Sequence, residues 1–301
     1  MNPLQQERLA RFVDRESEMQ SFCRMLDEAS GARPVLIVWG ESGMGKTVLL
    51  SRMMHECSLR SLVKAEVLWS DTRSHDYLGV MRKIRDDVGA IKFQQFTQLV
   101  NFFTNPQPVQ RVELVVDTKG SVAVGEHASL APSAHVDTMA GVVIRDLMLM
   151  MPRGDLGIPE SERMARLTDK FIAELNAAAV DGKIVIFLDA MEKATELTQR
   201  WIWGELLNPL REGRLANVCF IVGRQNQPSL DDSWRSMIET RKLAPLLEGH
   251  IIEYLIKRGI SREDAQTSAK WILTLSGGSP LTIDNAVDAV LLRMGEQDRV
   301  Q

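Results

Sequence analysis

Apolar residues along the chain alternate between a helical spacing and short continuous runs. Residues 15–29 place apolar side chains at i, i+3, i+4 and i+7, which predicts an amphipathic helix. Residues 35–39 form an unbroken run rich in β-branched side chains, typical of a strand buried on both faces. The helical spacing returns from residue 46 to about 55, and residues 65–69 form a second apolar run. This alternation predicts an α/β fold built on a parallel sheet.

The same two patterns continue along the chain with one interruption. Residues 104–135 are predicted to form a surface insertion, in which a hairpin with strands at 112–116 and 121–125 precedes a loop. Further helices are predicted at 75–88, 92–103, 160–179 and around Trp201 and Leu206, and further strands at 184–188 and 218–222.

Only the helical spacing remains from residue 249 onwards. It predicts helices at 250–258, 261–275 and 281–294, and Ser261 with Asp264 is similar to a capping box at the second of them. We therefore predict an α/β domain over residues 1–245 and a small helical bundle over residues 246–301.

One segment between the first strand and the next helix matches the phosphate-binding pattern GxxxxGK[ST]: Gly40, Glu41, Ser42, Gly43, Met44, Gly45, Lys46 and Thr47. Glycines let the backbone amides turn towards phosphate oxygens, and the positive end of the helix dipole lies beside them. Lys46 is expected to contact the β- and γ-phosphates of ATP or GTP, and the Thr47 hydroxyl to bind Mg²⁺. The sequence thus predicts a P-loop NTPase core.

Polar residues at the ends of two later strands add a predicted metal ligand and two predicted catalytic groups. Asp189 follows four apolar residues at the sheet edge where ligands bind, and is expected to bind Mg²⁺. Glu192 is the nearest carboxylate able to orient water, unless it is a solvated residue of the next helix; Asp71 is the second choice. Arg224 ends another strand and can contact the γ-phosphate, unless it is an ordinary arginine at a strand end.

Composition restricts the classes of function. The chain has 301 residues, 45% of them hydrophobic, and a net charge of −4, which disfavours a nucleic-acid partner. The three cysteines lack the spacing of a zinc site or disulfide framework. We find neither a signal peptide nor a run of about 18 apolar residues, so we expect a cytoplasmic protein without a membrane partner.

Together these motifs resemble the STAND class of P-loop NTPases, the NACHT- and NB-ARC-like signalling ATPases related to AAA+ proteins. The resemblance covers about residues 10–295. Beyond the two nucleotide motifs, its carriers are the segment Phe12–Glu16, which is similar to the "hhGRE" signature, the strand end Val222–Arg224, which is similar to sensor 1, and Gly278–Leu281, which is similar to the "GxP" motif.

The resemblance implies roles for particular residues. Val13 and Arg15 are expected near the adenine. The helices of residues 246–301 are expected to form a small C-terminal α-helical lid, whose Pro280 lies against the nucleotide. Asp14 replaces the usual glycine of the N-terminal signature, which weakens the adenine assignment. The segment after Asp189 lacks a tandem acidic pair, so hydrolysis is expected to be slow or absent.

The resemblance also implies a function: an ATP-binding switch whose nucleotide state controls assembly, acting in bacterial defence or stress signalling. Its expected partner is a second copy of the chain or a separate effector or sensor protein, because no effector or sensor segment is recognisable. The sequence is then either a minimal switch or the core of a larger protein.

Two rival interpretations stay open on the sequence alone. One is an AAA+-type regulator of transposition or replication, which needs a basic surface and an arginine finger. Arg235 and Arg241 are the candidates for that finger. The other is a P-loop kinase, which needs an arginine-rich lid, whereas the C-terminal helices have an apolar spacing.

Overall fold

The fold is taken from a computed structural model, which describes residues 9–28, 32–69, 76–104, 115–116, 122–123 and 158–297. The chain divides into two compact units: Met1–Gln94 together with Thr168–Gln301, and Gln95–Leu167. The main sheet, the C-terminal helices and the sites considered below all belong to the first unit. The predicted division at residue 245 stays a prediction.

A five-stranded parallel sheet forms the centre of the first unit, which confirms the predicted α/β fold. Its strand order is β2-β5-β6-β1-β7, with the strands at β1 (Val35–Trp39), β2 (Val63–Leu68), β5 (Ile184–Asp189), β6 (Val218–Arg224) and β7 (Ile238–Lys242). In the second unit, β3 (Val115–Val116) pairs with β4 (Val122–Ala123) in antiparallel register, as the predicted hairpin requires. The rest of the predicted insertion at 104–135 lies outside the described residues, apart from Thr104.

Strand β7 was not predicted from the sequence. It lies at the edge of the sheet and pairs with β1 alone, so Ile238 is its only fully buried side chain. The remaining residues, Glu239 to Lys242, are polar or charged, and the Lys242 ammonium lies 5.3 Å from the centre of the Trp39 ring. An edge strand of this kind lacks the apolar run by which the central strands are recognised.

Helices follow the strands in the predicted alternation. They are α1 (Glu16–Leu26), α2 (Lys46–Leu59), α3 (Tyr77–Val88), α4 (Gln94–Thr104), α5 (Glu160–Ala178), α6 (Glu196–Trp201), α7 (Asn208–Arg211), α8 (Asp232–Arg235), α9 (Glu248–Lys257), α10 (Arg262–Ser276) and α11 (Pro280–Gln297). Short 3₁₀ turns cover Ala90–Lys92 and Met191–Lys193, and a π-helical turn covers Ile202–Leu206. None of the helices in the described part of the chain is long and apolar enough to cross a membrane.

Two hydrophobic clusters of described residues lie in the first unit. One fills the space between the sheet and helices α1 and α2, with Phe22, Leu50 and Phe187 at its centre. The other joins α9, α10 and α11 through Ile251, Ala265, Ile283 and their neighbours. Val13, from the segment before α1, is buried in this second cluster, so the N-terminal segment packs with the C-terminal helices.

The turn between α10 and α11 is fixed against the segment that leads into α9. The Leu246 amide donates to the Gly278 carbonyl at 2.8 Å. Gly278 has a φ of 76°, and a Cβ at this position would lie 2.5 Å from the Leu246 carbonyl oxygen. Only glycine satisfies both the left-handed backbone and the close approach.

The paired glycines of this turn give a direct test. Gly278→Ala is expected to lower the free energy of unfolding by about 3 kcal/mol, because backbone strain and overpacking add. Gly277→Ala, with a φ of 58° and nothing within 4 Å of its Cβ position, should cost only about 1 kcal/mol of strain. Urea denaturation of both variants measures the difference, and equal losses would contradict the role given to the close approach.

Candidate functional site

The loop between β1 and α2 has the backbone shape that the glycine pattern predicts. Gly43 and Gly45 have φ values of 83° and 84°, in the left-handed region that favours glycine. Gly45 is the N-cap of α2, so the loop leads directly into the amino end of that helix. The amides there provide the donors and the positive dipole end that bind an anion.

Lys46 lies at the start of α2 with its ammonium turned back over the loop. Its Nζ donates to the carbonyl oxygens of Gly40 at 2.7 Å and Glu41 at 2.8 Å. Burial lowers the pKa of Lys46, and the carboxylates of Glu192 and Asp189 oppose this shift. The ammonium is therefore held near two carboxylates at the centre of the site.

Thr47 and Asp189 meet at the edge of the sheet. The Thr47 hydroxyl donates to Asp189 Oδ2 at 2.7 Å, and the Ala190 amide donates to Oδ1 at 2.9 Å. Ala190 adopts a left-handed conformation with a φ of 59°, which is uncommon outside glycine. The Asp189 carboxylate is thus fixed beside the Thr47 hydroxyl, and the residue is only 5% exposed.

Gly223 makes room for this carboxylate. It belongs to β6, the neighbour of β5 in the sheet, and a Cβ on Gly223 would lie 2.6 Å from Asp189 Oδ1. The sequence identifies Gly223 only as part of a strand end. Because Gly223 and Asp189 lie on different strands, the need for a glycine here can be recognised only when the order of the strands in the sheet is known.

Glu192 and Arg224 lie close to each other at the same edge. Glu192 Oε2 accepts from the Gln225 amide at 3.3 Å. The Nε atom of Arg224 is buried and has no hydrogen-bond partner within the described residues. Burial lowers the pKa of Arg224, and Glu192 opposes this shift. Arg224 also accepts at its carbonyl from the Gly40 amide at 3.2 Å, which ties β6 to the start of the loop.

Arg15 joins three segments of the backbone. Its Nη2 donates to the carbonyl oxygens of Ala244 at 2.8 Å and Met44 at 3.3 Å, and its Nη1 lies 3.1 Å from Asp14 Oδ2. The arginine is buried, so these contacts connect the N-terminal segment, the glycine loop and the approach to α9.

The turn before α11 rests directly on the glycine loop. The Leu281 amide donates to the Gly43 carbonyl at 3.2 Å, and a Cβ on Gly43 would lie 3.1 Å from Ser279 Oγ. Pro280 Cγ lies 3.8 Å from the Cβ position of Gly45. Helix α11 therefore begins in contact with the loop that precedes α2.

A cavity of about 690 Å³ lies between these elements. Residues 42–48 form one wall, together with Asp189, Glu192 and Gln225. Val13, Arg15 and Pro280 also line it, whereas Gly40, Glu41 and Arg224 do not. The binding and catalytic roles given to all of these residues stay predictions.

Tyr254, Asp284 and Asp288 also line the cavity and were not predicted from the sequence. The two aspartates follow Pro280 at intervals of four residues and so share one face of α11. The four-residue spacing is visible in the sequence. Only the contact between Pro280 and the glycine loop shows that this face of α11 is turned towards the cavity.

The other candidate residues have ordinary surroundings or are not described. Arg241 pairs with Glu239 within β7, at 2.5 Å between Nη2 and Oε1. Arg235 pairs with Asp232 at 3.1 Å on an exposed turn. Asp71 lies outside the described residues.

The residues around the cavity fit a nucleoside triphosphate with Mg²⁺. Gly43 and Gly45 keep the loop free of side chains on the side that α11 covers, and the Thr47 and Asp189 oxygens are the hard ligands that Mg²⁺ prefers. No group of three or more His, Cys, Asp or Glu residues able to hold a metal occurs in the described part of the chain.

Comparison with known proteins gives a family match and distant structural similarity. The family described as "AAA ATPase domain" matches residues 11–221. No curated protein matches the sequence at a significant level.

Three solved structures illustrate the structural similarity. Cdc6p from Pyrobaculum aerophilum is 13% identical, with a TM-score of 0.49 and coverage of 95% of this chain and 65% of that one. A STAND protein with a tetratricopeptide repeat sensor from Pyrococcus horikoshii is 12% identical, with a TM-score of 0.45 and coverage of 90% and 29%. The Walker-type ATPase of Pyrococcus abyssi is 13% identical, with a TM-score of 0.44 and coverage of 96% and 75%. The chain thus spans less than two thirds of the first two proteins, and similarity at this level carries no functional inference.

Gly223 provides a test of the predicted metal site. Gly223→Ala should push the Asp189 carboxylate away from Thr47 and weaken Mg²⁺-nucleotide binding about tenfold, a loss of about 1.4 kcal/mol. Affinity for metal-free nucleotide should change little, as for Asp189→Ala. Gly182→Ala, where nothing lies within 4 Å of the Cβ position, is the control. Titration calorimetry with and without Mg²⁺ measures both affinities, and equal losses in the two conditions would show that Asp189 is structural.

Proposed function

The chain belongs to the AAA ATPase domain family, and we propose that it works as an ATP-dependent switch in which bound nucleotide controls the position of the C-terminal helices. Members of this family bind ATP, typically with Mg²⁺. The finer steps of the proposal concern hydrolysis, sensing of the γ-phosphate and control of assembly.

The contact between the turn before α11 and the glycine loop carries the proposal. Leu281 donates to the Gly43 carbonyl at 3.2 Å, in the same loop whose amides face phosphate in this motif. A ligand that alters this loop therefore alters the surface on which α11 rests. A ligand shifts a conformational equilibrium only by its differential affinity for the two states, and this contact supplies a source of that difference.

The proposed binding groups are the loop amides, Lys46, Thr47 and Asp189. Lys46 would neutralise phosphate charge, and Thr47 with Asp189 would hold Mg²⁺, directly or through water. Bound Mg²⁺ supplies charge neutralisation and orients the phosphates.

Glu192 is the proposed base for hydrolysis. Its Oε2 accepts from the Gln225 amide, while Oε1 has no hydrogen bond from any described residue and so can accept one from water. A single acidic side chain after Asp189, in place of a tandem pair, supports slow turnover.

Arg224 is the proposed γ-phosphate sensor. Its buried Nε lacks a partner in the described part of the chain, and leaving a charged donor unpaired is costly. Arg224 does not line the cavity, so its side chain would have to turn towards the cavity for a phosphate oxygen to accept from it and relieve that cost. Loss of the γ-phosphate would then reverse this rearrangement at the end of β6. The backbone bond of Arg224 to Gly40 links this rearrangement to the glycine loop.

The proposed output is association with a second copy of the chain or with a separate effector or sensor protein. Bacterial defence or stress signalling is the setting that we propose, and it rests on the sequence resemblance alone.

The switch is tested by protease sensitivity of the segment near Leu246 and by light scattering. Wild type is expected to give different cleavage rates or oligomeric states with ATP and with ADP. Arg224→Ala should bind both nucleotides but lose most of the difference, because one hydrogen bond to a charged group is worth about 1.5–3 kcal/mol. Lys46→Ala, as a control without the phosphate contact, should behave as nucleotide-free protein throughout. A wild type that responds identically to ATP, ADP and no nucleotide would refute the switch.

Hydrolysis is tested separately. Glu192→Gln is expected to keep nucleotide affinity within about threefold while reducing phosphate release about 100-fold, because an amide cannot accept the proton from water. Single-turnover phosphate release measures the rate. Unchanged release would assign the base to another residue.

A further inference from the structure

Helix α11 forms one wall of the cavity, and this wall carries two aspartates further along the helix than its contact with the glycine loop. Asp284 and Asp288 follow Pro280 by four and eight residues, and all three line the cavity. At a rise of about 1.5 Å per residue, they lie roughly 6 and 12 Å along the helix from Pro280. The helix therefore places the two carboxylates at set distances from the phosphate-binding loop.

A buried arginine holds both carboxylates in place. Arg258 Nη1 donates to Asp284 Oδ1 at 3.0 Å, and Nη2 donates to Asp288 Oδ1. The Arg258 side chain is only 6% exposed, and the Tyr254 hydroxyl donates to the same Asp284 Oδ1. Burial and the Asp284 carboxylate raise the pKa of Tyr254, so the phenol stays a neutral donor. Asp284 is thus fixed by two donors on one oxygen.

The other oxygen of Asp284 is available to a ligand. Oδ2 receives no hydrogen bond from any described residue, and the side chain is 45% exposed at the cavity. Two carboxylates face the single Arg258 guanidinium on this side of the cavity, and Arg11 and Lys193 also belong to the lining. A carboxylate oxygen only accepts hydrogen bonds, so the group that binds Oδ2 is a donor, and beside two carboxylates a neutral donor is favoured over a phosphate.

Ribose is the part of a nucleotide that meets both conditions at this distance. In a nucleotide whose phosphates lie on the glycine loop, the sugar follows next, and its hydroxyls are neutral donors. Val13, Leu246 and Ile283 add apolar surface to the same cavity, which suits the base. An acidic residue that accepts from a ribose hydroxyl is also how dinucleotide-binding folds recognise the sugar.

We propose that Asp284 is a specificity residue that accepts a hydrogen bond from a ribose hydroxyl through Oδ2 and so selects ribonucleotides over deoxyribonucleotides. This inference rests on the proposed nucleotide-binding function. Arg258 and Tyr254 are its positioning residues, because they orient the carboxylate and do not contact the sugar.

Titration calorimetry with diphosphates tests the proposal without turnover. Wild type is expected to bind ADP about tenfold more tightly than 2′-deoxy-ADP, 3′-deoxy-ADP or both, the effect of one hydrogen bond to a charged group. Asp284→Ala should bind ADP about tenfold more weakly and lose the preference. Asp284→Asn, which keeps the side-chain shape, should retain a preference of about threefold and serves if the alanine variant fails to fold.

Asp288→Ala is the matched control. This substitution also removes a carboxylate that pairs with Arg258, but Asp288 lies one helical turn further from the glycine loop than Asp284. It should leave the ratio of ADP to deoxy-ADP affinities unchanged. If Asp284→Ala weakens all nucleotides equally and keeps the ratio, Asp284 is structural and the proposal is overturned.

Inosine diphosphate separates the sugar from the base, because a carbonyl oxygen replaces the amine of adenine. A change in the ratio of ADP to inosine diphosphate affinities in Asp284→Ala, with the sugar preference intact, would assign Asp284 to the base and overturn the proposal. Equal affinities of wild type for ADP and both deoxy forms would overturn it as well. A wild type that binds none of these nucleotides would instead overturn the proposed function itself.

Discussion

The approach of the turn before α11 to the glycine loop is the constraint on which the site depends. The loop must leave its amides free on one side and accept Ser279, Pro280 and Leu281 on the other. A Cβ on Gly43 would already lie within 3.2 Å of two of these residues. The glycines therefore serve two surfaces at once, and this explains why the C-terminal helices and the sheet enclose a common cavity.

Much of the fold follows from local pattern. The apolar runs at 35–39 and 184–188 identify central strands because both faces of such strands are covered. Strand β7 was not predicted because only Ile238 is buried there. A strand that pairs on one side only does not require apolar side chains at its remaining positions. The predicted and observed helix ends agree where a local hydrogen bond sets the end. At Ser261, for example, the hydroxyl accepts from the Asp264 amide at 3.2 Å.

The candidate site also has features that a local sequence pattern predicts and features that depend on contacts between distant segments. Lys46 and Thr47 belong to one contiguous motif, whose spacing is fixed by the phosphate group that it binds. Asp189 was predictable because it ends an apolar strand. The space that Gly223 leaves for Asp189, and the two donors that fix Asp284, arise between segments far apart in sequence. No local pattern encodes such contacts, so they emerge only from the strand order and the packing of α9 on α11.

The bonds of Lys46 have a consequence for the energetics of binding. Its ammonium donates to the Gly40 and Glu41 carbonyl oxygens, so the loop has an internal cation that screens the dipoles of its own carbonyl groups. A phosphate that recruits this ammonium exchanges one set of acceptors for another instead of creating new bonds. The enthalpy of association will then reflect the difference between carbonyl and phosphate as acceptors, and much of the affinity must come from charge and from water released by the loop amides.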